Sequence, residues 1–98
     1  MNGQARTGEA AGLATRTARH FAHKVPVTKR DGATAIETRY GVAVLRAEGD
    51  LLAIELEPVD DDALPRLRAV IEEHLQRFAR EPLAIAWAGP EREARREV

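Results

Sequence analysis

The side chains with the widest chemical reach are three histidines, His20, His23 and His74. His20 and His23 are three residues apart, a spacing that on a helix lets both imidazoles face one ion. With His74 they would form a three-histidine metal site with an open position for water or a ligand, or a site for haem. The same rings could serve acid–base chemistry near neutral pH. Lys24, next to His23, and Arg77, three residues after His74, would supply an anion-binding rim, and Phe21 and Phe78 its apolar walls. The expected ligand-binding set is therefore His20, His74, Arg77, Lys24, Phe21 and Phe78. Each residue also has a plainer role open to it, as a packing or capping group for the histidines and as an ion-pair partner for the cations.

Other chemistry is thinly supplied. The chain has neither cysteine nor serine, which removes thiolate metal sites, disulfides and two common covalent nucleophiles. No catalytic motif is recognised, so an enzyme is the less favoured expectation. Asp60, Asp61 and Asp62 supply hard oxygens for a divalent cation, but consecutive aspartates at a helix start are accounted for by capping and by the helix dipole. The glycines Gly32, Gly41 and Gly49 form no phosphate loop and belong to turns.

Positioning those residues falls to one domain, since the chain has 98 residues, 44% of them hydrophobic and 32% charged. A net charge of −1 with both signs interspersed offers no field for a polyanion, so nucleic acid is not an expected partner. No apolar run approaches a membrane span, and Met1 to Gly12 contains no apolar signal core. A soluble domain of the cytoplasm is expected.

Ala10, Leu13, Ala14, Thr17, Ala18 and Phe21 repeat with helical period, predicting a helix from Glu9 to Lys24, with Thr7 as its cap and Pro26 as its stop. Four runs with period two follow: Val25 to Lys29, Ala33 to Tyr40, Val42 to Ala47 and Leu51 to Glu57. Asp31-Gly32 suits a tight hairpin turn, and Glu48-Gly49-Asp50 joins the last two strands. After the aspartates, Leu64, Leu67, Ile71, Leu75 and Phe78 predict a second helix with Pro65 in its first turn and Pro82 as its stop. Leu83 to Ala88 reads as a last strand with Leu83, Ile85 and Trp87 pointing inward, and a weak extended segment around Gln4 to Thr7 opens the chain. The predicted class is α+β, in the order β-α-β-β-β-β-α-β, with two helices on one face of a single, largely antiparallel sheet. The first and last strands could run parallel to a neighbour. The domain spans 2–88, and 89–98 reads as a disordered or frayed tail.

His20-Phe21-Ala22-His23-Lys24-Val25-Pro26-Val27 and His74-Leu75-Gln76-Arg77-Phe78-Ala79 resemble the two motifs, HFAHKVP and HLxRFA, of family 2218 of the domains of unknown function, small bacterial proteins. The resemblance covers residues 2–88 and includes Gly41-x-Ala43-x-Leu45-x-Ala47 and Trp87. The chain departs from that pattern at Thr38-Arg39, where the family tends to have Phe-Pro, and near Ala79 and Arg80, where an aromatic is usual. The resemblance implies no established activity. It implies a link to iron or siderophore handling, because related domains occur joined to siderophore-interacting flavin reductases. The expected function is a ligand- or partner-binding domain; the alternative is a small metal-assisted or acid–base enzyme using His20, His23 and His74.

The sheet face away from the helices would carry Ala33, Ala35, Val42, Val44, Leu51, Ala53, Ala84 and Ala86 among a few charges. Such an apolar face predicts a homodimer, or a partner domain, seated on it.

Overall fold

The computed structural model describes residues 1–88; the predicted tail, 89–98, lies outside the described residues. The elements are β1 (Asn2–Arg6), α1 (Ala10–Phe21), β2 (Val27–Arg30), β3 (Ala33–Thr38), β4 (Gly41–Glu48), β5 (Leu51–Pro58), a 3-10 turn (Asp61–Ala63), α2 (Leu64–Phe78) and β6 (Ala86–Ala88). The six strands form one sheet in the order β2-β3-β4-β5-β1-β6. Every neighbouring pair is antiparallel. The allowance for a parallel first or last strand is corrected: β1 lies between β5 and β6 and runs against both.

Local chemistry accounts for the meander. Asp31 and Gly32 both have positive φ, 49° and 81°, the backbone that a two-residue hairpin turn of the primed type demands. At Gly41, φ is 139°, and a Cβ there would stand 2.3 Å from the Glu57 carbonyl oxygen, so only glycine fits. Alternation then sends Ile36, Ala43, Leu45, Leu52, Ile54 and Leu56 to one face, where all are buried. The six stripe positions predicted for the first helix are the six buried positions of α1. Leu67, Ile71 and Leu75 of α2 join them, and the two helices with that one sheet face make a single core cluster.

Several predicted boundaries move inward. α1 stops at Phe21 rather than Lys24, because Ala22 to Val25 turn back onto carbonyls of its last turn ahead of Pro26. The Thr7 hydroxyl accepts the Glu9 amide, but the residue at the cap position is Glu9. Asp60 caps the 3-10 turn that leads into α2 by accepting the Ala63 amide at 2.8 Å. α2 ends at Phe78, where Ala79 becomes extended, four residues before Pro82. Of the predicted last strand, only Ala86–Ala88 pairs with β1. Phe78, Leu83 and Ile85 pack at the margin of the core and are only half-buried.

β6 is short, and side chains hold it. Trp87 Nε1 donates to Glu72 Oε1 of α2 at 2.7 Å, and the Arg68 guanidinium lies 5.4 Å from the indole ring centre. The ring lies against Gly3 of β1, where a Cβ would come within 2.6 Å of Trp87 Cε3. No helix of the described residues is long and apolar enough to cross a membrane.

Ile71 has no exposed surface and lies where both helices meet the sheet. Truncation to alanine removes three carbons from a close-packed site, so Ile71→Ala is expected to cost about 2 to 5 kcal/mol of unfolding free energy in denaturant titration. Phe78→Ala, at the margin, is expected to cost less. Equal effects would mean that the half-buried ring carries as much of the core as Ile71.

Candidate functional site

The two helices are fastened to each other at one carboxylate. Glu9, at the start of α1, pairs through one oxygen with the guanidinium of Arg16. Its other oxygen accepts the Arg80 amide at 2.9 Å, just past the end of α2. Arg16 also donates to the Phe78 carbonyl at 3.1 Å, which satisfies an orphan acceptor at the negative end of that helix. The Arg80 amide, followed by the nearby guanidinium, holds the Glu9 carboxyl below the usual 4.5, and partial burial only partly opposes them. Successive positions along α1 thus meet positions in descending order along α2, so the helices run antiparallel.

One turn beyond Arg16 on α1 stands His20, and one turn before Phe78 on α2 stands His74. Their rings meet, with centres 5.2 Å apart and planes tilted by 42°. Phe21 lies 4.5 Å from His74, and Phe78 lies 5.1 Å from His20. Four aromatic rings from the two helices therefore share the seam. The His74 Nδ1 stands 2.7 Å from the Val70 carbonyl. A carbonyl can only accept, so Nδ1 carries the proton and the neutral ring keeps its lone pair on Nε2.

Sequence reasoning expected His20 and His74 to converge beside Phe21 and Phe78, and the structure brings these four together. His23 is corrected. It is exposed on the turn after α1 and makes none of these ring contacts, because the helix has already ended at Phe21. No group of three or more His, Cys, Asp or Glu among the described residues is placed to hold an ion, so the three-histidine chelate is not formed. Lys24 is exposed, and Arg77 turns to Glu73 at 3.3 Å, one turn back on α2. Their charge still reaches the seam. Partial burial first, and then the positive charge of His74, Lys24, Arg77 and His23, hold His20 below its usual 6.5. The four rings pack against one another, leaving an edge of half-exposed imidazoles with positive charge nearby.

The open sheet face also differs from expectation. Arg30 on β2 and Glu57 on β5 have two strands between them, yet they pair at 2.8 Å. The face is therefore concave at that end, as twist brings opposite corners of a sheet together. Beneath the pair, Ala33, Ala35 and Val44 are 1%, 1% and 5% exposed, already covered within one copy of the chain. The other end of the face holds a groove of about 430 Å³, which sequence reasoning missed. Val44, Ala53, Ala86 and Ala88 line it with Asn2, Gln4, Arg46 and Glu55. It depends on β1 and β6 coming together across 80 residues of chain, which no local signal announces.

Fold and seam together define a class: a small α+β domain with two antiparallel helices on one face of a six-stranded antiparallel sheet and a histidine pair between them. The chain belongs to the family described as an uncharacterized protein conserved in bacteria, DUF2218, which it matches over residues 2–88. It is similar to the NMR structure of PA4090 from Pseudomonas aeruginosa, with 31% identity and a TM-score of 0.72, over 89% of this chain and 92% of that one. No curated protein matches it. The two motifs behind the resemblance meet at the seam, His20 and Phe21 from one, His74 and Phe78 from the other.

The depressed His20 value has a definite consequence. Between that value and the ordinary 6.5, the folded chain binds fewer protons at this ring than the unfolded chain, so stability rises with pH across the window. His20 costs nothing above the window and destabilises the fold as the pH falls through it. The thermal midpoint of the native protein is expected to drop from pH 7.5 to pH 5 by more than that of His20→Gln. Glu9 is present in both proteins, so its contribution cancels in the comparison. Equal slopes would show that His20 is not depressed in the folded state.

Proposed function

We propose that this chain is a non-enzymatic binding domain of the bacterial cytoplasm whose ligand seats at the helix seam, on His20 and His74. The observation that carries this reading is the meeting of those two rings at 5.2 Å, each from a different helix, with Phe21 and Phe78 against them. Half-exposed imidazoles with lone pairs to offer, an aromatic backing, and the cations Lys24 and Arg77 at the rim favour a small anionic molecule or an anionic metal complex. The iron-handling link implied by the family resemblance fits a ferric complex of negative charge. Acid–base catalysis by the same two rings is the alternative reading.

The test follows the imidazole resonances of tag-free protein by NMR during titration with citrate, ferric citrate and haem. Saturable shifts confined to His20, His74 and their ring neighbours are expected, and the double variant His20→Gln, His74→Gln is expected to lose them with its fold intact. Shifts that persist in the double variant would place binding elsewhere. A large loss of stability without any loss of binding would return the rings to packing.

A second reading is favoured by the groove on the open face. We propose that a second copy of the chain seats there, with Arg46 of each copy against Glu55 of the other across a two-fold axis. The small side chains of Ala53, Ala86 and Ala88 let another surface approach closely. Sedimentation at high micromolar concentration is expected to show a dimer that Ala53→Arg dissociates; a native monomer under those conditions would remove this interface.

A further inference from the structure

We infer that His20 and His74 form a two-point clamp for one first-row transition-metal ion, with zinc as the test case. The inference rests on the seam as the binding site and specifies what binds there. Zinc holds imidazole nitrogens at about 2.0 to 2.1 Å, and the ring centre lies roughly 1.1 Å further out. Two imidazoles on one tetrahedral ion therefore have centres roughly 5 Å apart. The His20 and His74 centres are 5.2 Å apart, and their 42° tilt leaves neither ring stacked on the other.

The orientation of His74 points the same way. Its Nδ1 is held by the Val70 carbonyl at 2.7 Å, so Nε2 is the nitrogen left for an ion. A backbone carbonyl on the far nitrogen is the usual support of a ligating imidazole, because it sets both tautomer and aim. The two rings are carried by different helices that the Glu9 and Arg16 pair keeps in register, so the clamp is assembled by the fold rather than by a flexible loop.

Two protein ligands leave two positions of a tetrahedral ion open. The groups facing the site decide what fills them. Lys24 and His23, exposed just past the end of α1, and Arg77 on α2 lie within electrostatic reach of His20, and Arg77 is paired with Glu73. That balance disfavours a bare dication and favours an ion whose open positions carry an anion such as hydroxide or a carboxylate. The clamp is thus expected to bind its metal better with such a co-ligand than without one.

The experiment titrates tag-free, chelator-treated protein with zinc chloride by calorimetry, and with cobalt chloride by visible absorption, at pH 7.5. One ion per chain is expected, with a cobalt spectrum of tetrahedral type. His20→Gln and His74→Gln are each expected to weaken binding at least tenfold, whereas His23→Gln leaves it unchanged. NMR of the native protein with zinc provides a readout independent of any variant, with shifts expected at His20 and His74. Absence of saturable binding below millimolar zinc overturns the clamp, as does binding that survives loss of either ring or that requires His23. If metal-free protein still binds citrate at the seam while zinc does not bind, the clamp falls and the binding function stands. If neither binds there, both fall.

Discussion

Each helix of this domain carries one apolar stripe and no second, and one face of an antiparallel sheet is the only surface able to take both. That constraint sets the rest of the architecture. Leu13 and Phe21 from α1, and Leu67, Ile71 and Leu75 from α2, must share the face lined by Ile36, Leu45, Leu52 and Ile54, so the helices lie side by side. Once they do, the positions flanking the stripes are forced against one another along the seam. His20 and His74 are such positions, and they meet because the core leaves them nowhere else to go.

Burial alone would allow the helices to slide. The Glu9 carboxylate removes that freedom by joining Arg16 and the Arg80 amide, while Arg16 reaches the Phe78 carbonyl. The Glu9 and Arg16 side chains are partly buried, where such hydrogen bonds contribute more than an exposed ion pair does. The ion pairs on open surface, such as Arg6 with Asp50, have no comparable positioning role. A backbone carbonyl then aims His74, so packing, the charged clamp and one hydrogen bond together determine how two imidazoles face each other.

The other face of the sheet follows a different logic. At one end the Arg30 and Glu57 side chains pair across it, and Ala33, Ala35 and Val44 are buried there within one copy of the chain, whereas Ala84 and Ala86 stay exposed. Twist accounts for this, since it bends the sheet into a trough whose corners approach. At the far end, where β5, β1 and β6 lie together, the trough stays open as the groove beside Arg46 and Glu55. The fold thus presents a helix seam on one side and a concave sheet end on the other.

How far the sequence alone reaches depends on the range of the interaction. Periodicity determined both helices, the four-strand meander and the inward residues, because each is encoded within a few positions of chain. Asp31-Gly32 determined its turn for the same reason. His20 and His74 flank the two stripes, and that position brings them together once both stripes share one sheet face. The sequence could not reveal that the first helix stops at Phe21 and carries His23 out of the cluster, since that ending depends on a few turn hydrogen bonds. Nor could it place β1 between β5 and β6, pair Glu9 with Arg80, or bend the open face until Arg30 reached Glu57. Those contacts join residues 27 to 86 positions apart, and only the assembled tertiary structure, through sheet twist and the packing of both helices on one face, brings them within reach.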